Sequence, residues 1–211
     1  MVRLIYLKIA KVAGTSIADL LIENCAESKV WCQPDDVPFA ACDLPDIVIL
    51  ANRATIELFR VRFAALWYET PKLLVLRDPV ERFVSGYNYL GMTQTLGDCV
   101  IDMPRGPPGF DATTYNSHFV HMTLPQLEAV TLTYAEIFAD NKFILVAFEN
   151  LSKDLHSVLS RLGFEKTLIA HKNKGPRDTK ASVAHLTPKE VDLLQKHFAT
   201  DCAAYQRIKE G

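Results

Sequence analysis

No stretch of this chain approaches the roughly 20 consecutive apolar residues that a membrane-crossing helix requires. The opening MVRLIYLKIAK scatters charged residues among its apolar ones and is followed by no small-residue cleavage site, so no secretory signal is expected. The chain therefore reads as soluble and cytoplasmic. It also lacks a charge excess: 23 Lys and Arg stand against 25 Asp and Glu, a net −2. No global positive field draws it to nucleic acid or to an anionic membrane, and any anion site has to be built locally. The five cysteines (Cys25, Cys32, Cys42, Cys99 and Cys202) are odd in number and include no CxxC pair, which points to reduced structural thiols and away from a zinc site. Internal repeats, low-complexity tracts and a Walker A loop, GxxxxGK[ST], are absent too.

What is present is enough apolar residue, 49% of 211, for a single domain with a substantial core, and one domain over 1–211 is expected. Short β-rich runs alternate with helical periodicity: 3–9 before 15–25, 46–51 before 53–66, and 72–76 before 79–90. A fourth run, KFILVAF at 142–148, precedes a stripe of Leu151, Leu155, Val158, Leu159 and Leu162 that Gly163 would end, and VWC at 30–32 offers another short strand. This alternation predicts βαβ units, a mostly parallel central sheet and an α/β three-layer domain. Thr187-Pro188-Lys189-Glu190 combines an N-cap, an N1 proline and a capping-box glutamate, opening a final helix lined by Val191, Leu194, Phe198, Cys202 and Tyr205. Two irregular stretches, about 91–116 and 170–186, have the length of lids or binding loops.

Two short motifs carry chemistry. In IYLKIAKVAGTS a strand leads through a small turn into a helix, whose N-terminus offers free N–H groups and the positive end of its dipole to an anion. Gly14 allows close backbone approach, Thr15 and Ser16 add hydroxyls, and Lys11 adds a mobile cation. The same residues also suit a capped strand-to-helix turn that binds nothing. In KLLVLRDPVERFVSGYNYL a strand ends at Arg77, Asp78 caps the next helix and Pro79 suits its first turn. Val80, Phe83, Val84 and Tyr87 form the buried stripe, which leaves Arg82, Ser85 and Tyr89 on another face. Arg77 would emerge at the carboxyl end of its strand, where open α/β sheets bind ligands.

Taken together, KVAGTS and RDPVERFVSGY resemble the motifs of the sulfotransferases that use 3′-phosphoadenosine 5′-phosphosulfate (PAPS), particularly the carbohydrate branch that includes the heparan and chondroitin enzymes. The resemblance implies the P-loop-NTPase-like sulfotransferase fold and transfer of a sulfuryl group to an acceptor hydroxyl, releasing 3′-phosphoadenosine 5′-phosphate (PAP). It implies that Lys11, Ala13, Gly14, Thr15 and Ser16 hold the 5′-phosphosulfate and that Arg77 and Ser85, at the family's spacing, grip the 3′-phosphate. It implies further that the basic loop before the last helix, with Lys172, Lys174, Arg177 and Lys180, closes over the nucleotide. FILVAFENLSKDLHSVLSRLG looks like the family's fourth strand and helix. Lys11 would stabilise the charge that grows on the departing phosphate, and no metal is required.

The general base is where the sequence departs from its relatives. Several of them place a histidine at the end of the strand before the Arg-Asp-Pro strand, but IVILANRAT has Asn52 and Arg53 there. Another branch uses a carboxylate beyond the loop lysine, which makes Asp35 and Asp36 of CQPDDVP candidates, though Asp-Asp beside proline also reads as an exposed turn. His118 and His121 of TYNSHFVHM are candidates to line the acceptor pocket, or else are packed or capping residues. Ala10 and Lys8 stand where relatives have proline and histidine. Arg53, Arg60 and Arg62 are a modest basic cluster that helical periodicity scatters, so a small or neutral hydroxylated acceptor is favoured over an acidic polymer. The lack of the membrane anchor typical of Golgi carbohydrate sulfotransferases fits a soluble enzyme or a trimmed luminal catalytic domain. Two other readings compete: a degenerate domain that binds PAP-like nucleotides without turnover, and a phosphoryl-transfer enzyme, for which no magnesium-binding carboxylate pair stands in context.

Overall fold

Among strands buried on both faces, near-continuous apolar runs are expected, and LIYL, IVIL and LLVL behave accordingly. They form β1 (Leu4–Leu7), β3 (Ile47–Leu50) and β4 (Lys72–Leu76) in the middle of a parallel sheet. With β2 (Val30–Trp31) and β5 (Phe143–Ala147) at the edges, the strand order is β2-β3-β1-β4-β5. The computed structural model describes residues 2–24, 30–31, 46–90, 92, 94–103, 122–168 and 180–210. Leu7 pairs with Leu50 on one side and Leu74 on the other, which brings the ends of β1, β3 and β4 to one edge of the sheet.

Helices flank the sheet: α1 (Gly14–Glu23), α2 (Arg53–Arg62), α3 (Ala64–Glu69), α4 (Pro79–Leu90), α5 (Leu96–Asp102), α6 (Gln126–Ala129), α7 (Tyr134–Ala139), α8 (Leu151–Arg161), α9 (Pro188–His197) and α10 (Ala199–Glu210). The α/β class with a parallel sheet stands. Two expected continuous helices are each split. The one over 53–66 breaks at Phe63, and the final one breaks at Phe198. Phe198 leaves the helical region at φ −101° and ψ 28°, its buried ring lies edge-on to His197 at 4.6 Å, and Cys202 still donates to its carbonyl at 2.8 Å. The capping box at Thr187 and Glu190 forms as expected, and Gly163 ends α8 in the left-handed region at φ 73°.

The main core joins the sheet to α1, α2 and α8, and a second cluster lies between α4, α5 and α9 around Phe83, Val100, Met122 and Leu194. Arg82, expected on a face of α4 other than the buried stripe, is only 1% exposed. Its Nη2 donates to the Leu124 carbonyl, and the Asp201 carboxylate supports its charge against burial, which lowers its pKa to about 10. Cys99 and Cys202 are free thiols whose pKa burial pushes up to about 11, as inert structural cysteines should be. Cys25, Cys32 and Cys42 lie outside the described residues.

Candidate functional site

The ends of two neighbouring strands, β1 and β4, build the site. After β1 the chain turns through Lys11 at φ 66° and Ala13 at φ 59°, two left-handed residues that are not glycine. Each costs on the order of 1–2 kcal/mol, and such alternation of backbone hand makes concave nests of N–H groups suited to anions. No side chain caps α1. Ile17 donates to the Ala13 carbonyl at 3.0 Å, so the amides of Gly14, Thr15 and Ser16 ahead of it have no intrahelical acceptor. A Cβ on Gly14 would stand 2.9 Å from the Ile9 carbonyl oxygen and 3.0 Å from Lys8 Cγ, so only glycine lets the turn fold this tightly.

Arg77 follows β4, and its backbone is held by a buried amide: the Arg77 N–H donates to Gln126 Oε1 at 3.0 Å and Gln126 Nε2 donates to the Arg77 carbonyl at 2.8 Å. Gln126 is fixed in turn by Asp201, which accepts from the N–H groups of Gln126 and Leu127. The Arg77 guanidinium lies over the Phe148 ring at 4.5 Å, reaches the Lys11 carbonyl from Nη1 at 3.4 Å, and pairs with Glu81 at 3.5 Å. Its Nε is buried without a hydrogen-bond partner. Burial weighs against its charge, and Glu81, Glu149 and Asp78 support it. Asp78 caps α4 as expected, accepting from Val80 and Glu81 amides at 2.9 and 3.0 Å. Ser85 is half-buried on α4, two turns beyond Asp78.

Lys11 places its ammonium 3.4 Å from the centroid of the Tyr89 ring. Burial, then the positive charges of Arg77 and Lys180, lower its pKa to about 8. Lys180 is the member of the expected basic loop that falls among the described residues. Lys172, Lys174 and Arg177 lie outside them, as do the base candidates Asp35, Asp36, His118 and His121. Asn52 is accounted for structurally: its side chain caps α2 by accepting from the Thr55 amide at 2.9 Å. Arg53 pairs with Glu57 at 3.0 Å and Arg60 with Glu136 at 2.9 Å, so the basic cluster is largely neutralised. No group of three metal-ligating side chains occurs among the described residues.

The local patterns single out the loop, Arg77 and Ser85, whereas the hold of Gln126 and Asp201 on Arg77 and the Lys11–Tyr89 contact appear only in the structure. A buried Gln-Asp pair has no local signature, since its partners come from distant helices; periodicity names a face of α4 for Tyr89 without a role.

No protein-family model and no curated protein sequence matches the chain. Its fold has solved counterparts. The crystal structure of a sulfotransferase from Alicyclobacillus acidocaldarius is similar with a TM-score of 0.55 and 14% identity, covering 99% of this chain and 96% of that one. The mouse sulfotransferase SULT7A1 complexed with PAP is similar with a TM-score of 0.49 and 11% identity, covering 99% of this chain and 87% of that one. The first of these likenesses, which extends over nearly the whole of both chains, shows that this protein has the sulfotransferase fold.

Proposed function

We propose that this protein is a PAPS-dependent O-sulfotransferase, moving a sulfuryl group to a hydroxyl of a small molecule or carbohydrate and releasing PAP. One observation carries the reading: Arg77, from the second motif, touches the backbone of Lys11, from the first, and keeps a buried Nε with no partner beside it. Two motifs distant in sequence thereby meet at one cationic site. The residues fit a phosphorylated nucleotide, because the first turn of α1 leaves the amides of Gly14, Thr15 and Ser16 without intrahelical acceptors next to the cations of Lys11 and Arg77.

When bound, PAPS supplies the activated sulfuryl group. The chain's own part is to bind, orient and neutralise. Gly14, Thr15 and Ser16 offer amides and hydroxyls to the 5′-phosphate, with Ala13 shaping the turn. Lys11 is the cation for charge that develops on the leaving phosphate, and Arg77 with Ser85 takes the 3′-phosphate. Lys174 and Arg177 are assigned to the loop that closes over the nucleotide. Asp35 and His118 are the candidates for the base that takes the acceptor proton. Pairing of Arg53 and Arg60 with glutamates favours an acceptor with little negative charge. Assignment to the carbohydrate branch rests on the two motifs alone.

A second reading, a domain that holds PAP without turnover, is favoured by Asn52 serving as a helix cap where relatives carry a catalytic histidine. Sulfuryl transfer from PAPS over a panel of phenols, alcohols and sugars separates the two. Turnover in the wild type that Lys11→Ala abolishes, with PAP binding largely kept, supports the enzyme. Wild-type rates in Lys11→Ala would refute the role given to Lys11, and PAP binding with no turnover on any acceptor would favour the second reading.

A further inference from the structure

Asn88, on the last turn of α4, faces the segment that precedes α9. Its Nδ2 donates to the Ala181 carbonyl at 2.8 Å, and its Oδ1 accepts from the Ala181 N–H at 2.9 Å. A side-chain amide here pairs with both backbone polar groups of one residue, as a neighbouring strand would, and leaves residue 181 little freedom to slide. Ala181 and Val183 also pack against the apolar cluster beneath α4. The residue immediately before the clasped peptide is Lys180, whose charge is felt at Lys11. The residue immediately after Asn88 is Tyr89, whose ring carries the Lys11 ammonium.

We propose that Asn88 is a positioning residue: by clasping the backbone of Ala181 it keeps Lys180 at the last turn of α4, where the neighbouring Tyr89 carries the Lys11 ammonium, and so adds a cation to the anion site. The physical argument is that like charges do not gather unaided. Lys180 is exposed and its long side chain gains rotamer entropy by pointing away from Lys11 and Arg77 into water. The groups facing Lys11 are Arg77 from the end of β4, Lys180 from the clasped segment and the uncharged ring of Tyr89. The carboxylates of Glu81, Glu149 and Asp78 are felt at Arg77. A backbone tether from α4 offsets the repulsion, and it is useful when an anion with several charges is to be held. That last step rests on the donor assignment above.

The test begins without ligand, by following the Lys11 titration through its Cε–Nζ NMR signals in the wild type, Asn88→Ala, Lys180→Met and the double variant. Lys180→Met should raise the Lys11 midpoint above its value of about 8, because a repelling charge is gone. Asn88→Ala should raise it by a similar amount, and the double variant should match Lys180→Met alone, since Asn88 acts only through Lys180. Ala181→Pro, which deletes the clasped N–H and leaves Asn88 intact, should repeat the Asn88→Ala shift and serves if that variant fails to fold. An unmoved Lys11 in Asn88→Ala or Lys180→Met, or additive shifts in the double variant, would overturn the proposal. PAP affinity should then fall roughly three- to tenfold in Asn88→Ala and in Lys180→Met, again without adding. The titration needs no ligand, so a wild type that ignores PAP would sink the donor assignment while the clasp is still judged by Lys11.

Discussion

Arg77 Nη1 donates to the carbonyl oxygen of Lys11 across 3.4 Å, a long bond that ties the end of β4 to the turn after β1. The guanidinium carbon lies over the Phe148 ring, 4.5 Å from its centroid, and the Arg77 backbone is fixed by Gln126. A fork held this way suits bidentate recognition of a phosphate, which a lysine cannot reproduce. Arg77→Ala should weaken PAP binding by roughly ten- to a hundredfold, and Arg77→Lys should recover only part of the loss. Titration calorimetry measures both; equal affinity in wild type and Arg77→Ala would remove Arg77 from the site.

Glu81 is the counter-ion that a phosphate must displace from Arg77. The pair is 3.5 Å apart, and the glutamate side chain is about half exposed, so the interaction is weak. Glu81→Gln should therefore tighten PAP binding by a few-fold, up to about fivefold. Weaker binding in this variant would mean that Glu81 supports the ligand-holding geometry of Arg77 instead of competing for it.

The Lys11 ammonium links the site to pH. Its pKa is lowered from an ordinary 10.5 to about 8, chiefly by burial and then by Arg77 and Lys180. Below pH 8 the lysine is charged in both the folded and unfolded chain, so the folded state carries the full cost of confining it. Between about 8 and 10.5 the folded protein gives up a proton that the unfolded chain keeps, so this group's contribution becomes less unfavourable as pH rises. A bound anion favours the charged form and raises the pKa again. PAP binding at pH 8 should thus take up a fraction of a proton, and affinity should decline no more than a few-fold above that pH, in keeping with the PAP binding that Lys11→Ala largely keeps. Calorimetry in buffers of different ionisation enthalpy reads this directly; Lys11→Met should abolish the uptake, and uptake that persists in this variant would place the titrating group elsewhere.

Much of this architecture could be read from local patterns, and the failures share a cause. Strands buried on both faces announce themselves as apolar runs, and Asp78, Thr187 and Gly163 mark helix ends by chemistry that acts within a few residues. The 53–66 pattern and the stripe through Phe198 suit a helix that continues or one that turns, because periodicity records which face is apolar and not where the backbone bends. Arg82 fell outside the buried stripe of α4 by periodicity, and the Asp201 carboxylate that supports its buried charge lies on the last helix. Lys72, at the head of an apolar strand, is 0% exposed and satisfied by the Trp67 and Thr70 carbonyls and by Asp140. In the site, the strand-to-helix turn and Arg77 were legible, whereas the clasp from Asn88 and the hold of Gln126 on Arg77 depend on residues far along the chain.

Tyr6, in the middle of β1, supplies a prediction about stability. Its hydroxyl is buried with no hydrogen-bond partner, and burial pushes its pKa well up. Such a group gives back none of its desolvation cost, which is on the order of 1–3 kcal/mol. Tyr6→Phe removes the hydroxyl and keeps the ring, so it should raise the thermal midpoint by about 2–4 °C for each kcal/mol recovered. A fall of several degrees would show that an internal water satisfies the hydroxyl.

The central claim is that the site where Lys11 and Arg77 meet holds a PAP-type nucleotide through cations and backbone amides of the chain itself. Titration calorimetry of the wild type with PAP, ATP and GTP, each with magnesium and again with a chelator, tests it most directly. The account predicts one site for PAP, unchanged by the chelator and markedly tighter than for either triphosphate. Absence of PAP binding, or triphosphate binding that is tighter and depends on magnesium, would contradict it.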